Sequence, residues 1–110
     1  MSRSLAIAAI ALLLGAGRFT FIIAGTASWF YPAAAYGRDH VCAMNVVRPG
    51  TTVRVVNSDN GREATCVVIG TGPFVPGRVI DVSASVADVL GFDGLANVNV
   101  YRAISSKKGH

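Results

Sequence analysis

Thr51-Thr52-Val53-Arg54-Val55-Val56-Asn57-Ser58-Asp59-Asn60-Gly61-Arg62-Glu63-Ala64-Thr65-Cys66-Val67-Val68-Ile69 is the stretch that decides the fold class of this chain. Two β-branched runs flank Ser58-Asp59-Asn60-Gly61, and Asn-Gly between such runs is the strongest short-range signal for a hairpin. On the N-terminal side Pro49-Gly50 marks a turn that ends a short apolar strand, Val41 to Val47. Before it lies a loop, Ala33 to His40, with Gly37-Arg38-Asp39 as turn material. Gly25 to Tyr31, β-branched and aromatic and closed by Pro32, reads as a further strand.

On the C-terminal side Gly70 to Gly77 forms a long loop punctuated by glycine and proline, and Arg78-Val79-Ile80-Asp81-Val82 returns as a strand. Ser83 fits a helix N-cap, its hydroxyl accepting from a free backbone N–H. Two helical turns follow from Ala84 to Leu90, with Val86, Val89 and Leu90 on one side, and Gly91 supplies a left-handed C-terminal residue. Asn97 to Arg102 alternates and closes the domain as a last strand. The element order is strand, strand, hairpin, strand, short helix, strand. A closed barrel suits that order, because closure removes the exposed edges an open six-stranded sheet would have to guard.

With 110 residues there is room for one domain. The composition, 52% hydrophobic and 15% charged, excludes disorder. The net charge of +4 is carried by singly scattered arginines and by Lys107-Lys108 in a polar tail, residues 105–110. No basic stripe with interleaved aromatics exists, which argues against nucleic-acid binding. No Cys/His cluster has metal-ligand spacing, and no glycine-rich loop joins a strand to a helix in a βαβ unit, so neither a metal nor a cofactor is implied.

Residues 1–24 have the anatomy of an export signal or membrane anchor. Arg3 lies in a short positive region, Leu5 to Ala16 is an unbroken apolar run, and Gly15-Ala16-Gly17 offers small residues for cleavage. With Phe19 to Ala24 added, the segment from Leu5 becomes long enough to span a bilayer, which is the chain's one expected contact with a membrane. The expected organisation is therefore a leader or anchor at 1–24, a mostly β domain at 25–104 and a tail at 105–110. The domain is expected outside the cytoplasm, in a periplasm, a cell wall or the extracellular space. Cys42 and Cys66 are the only cysteines, and an even count in a small exported domain points to a disulfide.

Gly25-Thr26-Ala27-Ser28-Trp29-Phe30, Pro49-Gly50-Thr51-Thr52-Val53-Arg54-Val55-Val56-Asn57, Asn60-Gly61-Arg62, Gly72 to Ser83 and Val89-Leu90-Gly91 recur in the order known from one family. From about Gly25 to Tyr101 the chain resembles the rare lipoprotein A family, and Gly72 to Ser83 is the most specific part of the match. The resemblance implies a six-stranded double-psi β-barrel in a bacterial cell-envelope protein that binds peptidoglycan. Members resembling this chain carry a cysteine pair at similar places. Some members are lytic transglycosylases in which a His and an Asp carry the chemistry.

Those two positions depart from the family pattern. The family His follows an Ala at the start of the second strand, which falls here on Met44 after Cys42-Ala43. The family Asp opens the run Asp-Arg-Gly-Pro-Phe, which falls on Gly70 in Gly70-Thr71-Gly72-Pro73-Phe74. Glycoside cleavage needs one group to protonate the leaving oxygen and another to stabilise or deprotonate what develops. A thioether and a hydrogen atom do neither, so the resemblance implies binding of glycan strands without cutting.

Two residues stand as substitutes for the missing chemistry. His40, paired with Asp39, is the only imidazole in the domain. Asp81 matches the acidic residue of the family's Ile-Asp-Leu-Ser run, where it either contacts glycan or bonds backbone N–H groups at the helix start. For sugar stacking the candidates are Trp29 and Tyr31, which alternation sends to one face with Phe30 on the other. Three functions follow. The first is a non-catalytic domain binding peptidoglycan, another wall polysaccharide or an envelope protein. The second is an active lytic transglycosylase using His40 and Asp81. The third is an expansin-like or inhibitor-like module binding polysaccharide or protein.

Overall fold

The computed structural model describes residues 18–37 and 39–104. Six strands, β1 (Arg18–Phe30), β2 (Val41–Ala43), β3 (Thr52–Asn57), β4 (Glu63–Gly70), β5 (Arg78–Ser83) and β6 (Ala96–Ile104), close in the order β1-β5-β2-β4-β3-β6. Among the described residues one helix, α1 (Ala84–Leu90), follows β5, and a 3-10 turn (Ala34–Tyr36) lies between β1 and β2. The pairs β1–β5 and β2–β4 are parallel and the remaining four are antiparallel. Two parallel pairs bridged by crossing connections give the double-psi arrangement that the family resemblance implies.

Alternation along each strand builds the core. Val53, Val55 and Asn57 of β3, Cys66 and Val68 of β4, Ile80 and Val82 of β5, and Val98 and Val100 of β6 are all buried. β-branched side chains pack well on a pleated surface, which suits a barrel interior of this size. Asn57 is the exception in chemistry. It is 2% exposed, but its amide nitrogen donates to the Leu90 carbonyl (2.9 Å) and its oxygen accepts from the Asp59 N–H (2.9 Å). Asn60 donates to the same Leu90 carbonyl (3.0 Å), so the hairpin loop satisfies the C-terminal end of α1.

The hairpin forms where the sequence places it, with a longer loop than a two-residue Asn-Gly turn. Asn57 N–H donates to Arg62 O (2.8 Å) and only Gly61 takes a positive φ, 81°. A type I′ turn would need positive φ at both central residues, so Asn60-Gly61 instead ends a four-residue loop.

Helix α1 has the expected bounds and the expected stop. Gly91 is left-handed (φ 79°, ψ 38°), and the N–H groups of Gly91 and Phe92 donate to Asp88 O (3.2 Å) and Ala87 O (3.2 Å). That is the Schellman pattern, and it folds Phe92 back against the helix. Two details differ from expectation. The buried face is Val86, Ala87 and Leu90, while Val89 is exposed. Ser83 stands at the N-cap without capping: its hydroxyl accepts from Val41 N–H (3.3 Å) and donates to Asp39 O (3.2 Å). The buried start of β2 competes for that oxygen and takes it.

Strand β1 begins at Arg18 rather than at Gly25. Residues from Arg18 to Ala27 pair with β6, and Ile22 and Ile23 pack against the core. A short apolar run carries no phase that separates a strand from a leader segment, so the partner strand decides. The second strand is shorter than the expected Val41–Val47, ending at Ala43, and Val46 is exposed. The apolar run expected to form a leader or anchor, residues 5–16, and the polar tail lie outside the described residues.

Cys42 and Cys66 form a disulfide across the parallel pair β2–β4, with Cα atoms 5.9 Å apart. Both cysteines are buried, so the bridge lies inside the barrel.

Candidate functional site

One row of residues crosses four neighbouring strands. Gly70 on β4 faces Ala43 on β2, Ala43 faces Asp81 on β5, and Asp81 faces Ser28 on β1. Ile80 and Val82 are buried on either side of Asp81, so alternation turns the Asp81 carboxylate to the outer wall. A shift of register between Cys42 and Ala43 brings Gly70, rather than Ile69, opposite Ala43. Bulges of this kind re-aim single positions next to functional sites.

Met44 follows directly on this row, and its N–H donates to Gly70 O (3.2 Å). The two positions onto which the resemblance carries the family His and Asp are therefore joined backbone to backbone. Met44 is fully buried and belongs to the hydrophobic core, so its thioether fills the interior. Gly70 is half-buried, and a Cβ added there would meet nothing within 4 Å. Its φ lies outside the left-handed region, so the backbone does not demand glycine. The side of the barrel that would hold a carboxylate is open and holds none at this position.

The loop after Gly70 is clamped to the same region by Asn45. The Asn45 side chain accepts from Gly72 N–H (2.7 Å) and donates to Pro73 O (2.8 Å). The loop presents Phe74 and Val75 to solvent, 81% and 49% exposed. Sequence reading had not singled out Asn45. Its position directly after Met44 was the only available signal.

The proposed substitutes take different places. His40 is exposed, and its backbone carbonyl accepts from Val67 N–H (3.1 Å) at the start of β2. Ala43, on the row, is three residues further along the strand, roughly 10 Å away. Asp81 lies on the row itself, two strand spacings or roughly 10 Å from Gly70. Its carboxylate accepts a hydrogen bond from the Ser28 hydroxyl, not from backbone N–H groups at the start of α1. Among the described residues, no cluster of three His, Cys, Asp or Glu side chains is placed to hold a metal ion.

Trp29 and Tyr31 meet elsewhere, at the end of the barrel next to α1. Their rings stand edge to face with centroids 5.1 Å apart. Trp29 packs on the core and its indole N–H donates to Asp93 O (3.0 Å), while Tyr31 is 79% exposed. Together with Phe92, Ser85, Asp88 and Asp93 they line a cavity of about 530 Å³. That volume is in the range of small-ligand sites. Asp81 is not among the residues lining it. Phe92 was missed in the sequence, although an apolar residue directly after the helix-ending Gly91 is the expected partner of a Schellman turn.

Curated proteins with similar sequences share one name. A probable endolytic peptidoglycan transglycosylase RlpA of Synechocystis sp. is 34% identical over 86 residues, covering 67% of this chain and 27% of the relative. A protein of the same name from Nostoc sp. is 51% identical over 45 residues, covering 41% of this chain and 12% of the relative. An endolytic peptidoglycan transglycosylase RlpA of Rickettsia bellii is 46% identical over 50 residues, covering 44% and 22%. The chain thus spans about a quarter or less of the length of these relatives. No protein-family model matches it.

Proposed function

This chain carries an RlpA-like domain on a closed six-stranded barrel, and from that premise we propose that it is an exported envelope protein that binds peptidoglycan glycan strands without cutting them. The observation that carries the proposal is the pairing of Met44 with Gly70 through the 3.2 Å backbone hydrogen bond. The positions onto which the resemblance carries the family's two proton-transfer groups hold a thioether and a hydrogen atom. Each well-placed acid or base contributes about 10²–10⁴-fold to a glycosidase, so loss of both abolishes useful turnover. Binding surfaces remain in the open row around Gly70 and Asp81 and in the cavity of Trp29 and Tyr31.

A second reading rests on Asp81. Its carboxylate sits on the same row as Gly70, and an acid two strands away is the nearest thing to a substitute that the row holds. The separation from His40 argues against a working pair.

Co-sedimentation with insoluble peptidoglycan, with cellulose as the control, tests binding. Mass spectrometry of the supernatant after incubation with denuded glycan strands tests cleavage. Retention on peptidoglycan with no anhydro-muropeptides released is the expected result. Release that disappears in Asp81→Ala or His40→Ala would overturn the proposal in favour of the substituted enzyme. Equal retention on cellulose would favour a general polysaccharide-binding module.

A further inference from the structure

The cavity beside α1 is lined by three aromatic residues and two aspartates. Trp29, Tyr31 and Phe92 supply apolar faces, and Asp88 and Asp93 stand among the lining residues. On a chain of net charge +4 with six acidic residues, two of the six gather here, and no Lys or Arg lines the cavity among the described residues. Neither carboxylate is in an ion pair among the described residues. Arg62 approaches Asp88, but it donates to the backbone carbonyl (3.3 Å). The hydrogen bond from Trp29 likewise goes to the backbone carbonyl of Asp93 (3.0 Å), not to its carboxylate.

Aromatic faces next to unpaired carboxylates attract a cation that carries an apolar body, because the ring quadrupole and the anion act on the same charge. A neutral N-acetylated sugar uses the rings but leaves the carboxylates unanswered. A glycan with free amino groups uses both. We propose that the cavity selects glycan whose amino sugars have lost their acetyl groups and carry ammonium. The proposal rests on the glycan-binding reading above and names the form of glycan bound.

The test compares the affinity of the purified chain for β-1,4-linked tetramers of glucosamine and of N-acetylglucosamine, alongside retention on insoluble peptidoglycan. At low salt the glucosamine tetramer is expected to bind about tenfold more tightly, the product of a few-fold from each exposed charge contact. Raising salt to about 0.5 M should remove most of that preference, since exposed charges are then screened within a few ångströms. The double variant Asp88→Asn/Asp93→Asn should bind both tetramers equally. Both residues are exposed and offer no buried carboxylate, so the variant tests charge rather than folding. Equal or tighter binding of the N-acetylated tetramer, or a preference that survives in the double variant, would overturn the inference. Retention on peptidoglycan with no binding of either tetramer would also overturn it and leave the glycan-binding reading standing. Loss of peptidoglycan retention as well would remove both.

Discussion

Met44 donates its backbone N–H to the carbonyl of Gly70 across β2 and β4, and the two side chains could hardly differ more in their surroundings. Met44 is fully buried among valines and the disulfide, while the space above Gly70 is empty.

That asymmetry separates the two reverse substitutions. Gly70→Asp places a carboxylate in open space on backbone that does not require glycine, so its stability should change by no more than about 0.5 kcal/mol. Met44→His buries an imidazole in an apolar interior and should cost about 1–3 kcal/mol. In Met44→His/Gly70→Asp a buried imidazole and a carboxylate in open space have no contact, so the double variant should lose about the sum of the two. Urea unfolding of the three variants checks the ordering. A double variant that loses clearly less than the sum would show that the introduced side chains meet.

The disulfide between Cys42 and Cys66 closes a sequence separation of 24 residues. In the chain-entropy account a loop of this size contributes on the order of 3.5 kcal/mol. Replacing both cysteines by alanine should lower stability by about that amount, a large share of what a domain this small possesses. Intact-mass measurement after alkylation without reductant should show no thiol modified. Two modified thiols in the folded protein would contradict the bridge.

Strand β1 ties the start of the described chain to β6. Phe19 also lies under the Arg54 guanidinium, 4.2 Å from the ring centroid. A chain beginning at Gly25 lacks the pairing of Arg18 to Ala24 with β6 and exposes core-facing surface that Ile22 and Ile23 cover. It should be less stable than one beginning at Arg18 by at least about 2 kcal/mol. If the leader is removed in the cell, the mature protein recovered from the envelope fraction should retain Arg18. A mature N-terminus at Gly25, or recovery of most of the protein from the cytoplasm, would contradict this.

Tyr31 and Trp29 should respond differently to truncation. Tyr31 is largely exposed, so Tyr31→Ala should keep the fold and weaken glycan binding a few-fold to about tenfold, the share of one aromatic contact. Trp29→Ala removes a ring that packs on the core and should lower both melting temperature and binding. Parallel thermal melts and peptidoglycan co-sedimentation measure the two effects. Unchanged retention in Tyr31→Ala would place glycan binding away from the cavity.

What the sequence determined by itself is local in origin. The hairpin around Asn60-Gly61, the helix from Ala84 to Leu90 and its end at left-handed Gly91 follow from conformational preferences of the residues that form them. The order of six strands follows from where glycine and proline interrupt the β-branched runs. The adjacency of the Met44 and Gly70 positions was legible only through a family resemblance, because nothing within either segment refers to the other. The tertiary structure decided what depends on partners. Pairing with β6 made residues from Arg18 onward part of a strand, and the demand of the Val41 N–H drew the Ser83 hydroxyl away from capping. A register shift set Gly70 opposite Ala43 and placed Asp81 on the same row, and barrel closure beside α1 joined Trp29, Tyr31 and Phe92 around one cavity. Side-chain alternation assigns each residue a face, but a face acquires neighbours only when strands distant in sequence choose their register, and that choice is made by the whole barrel at once.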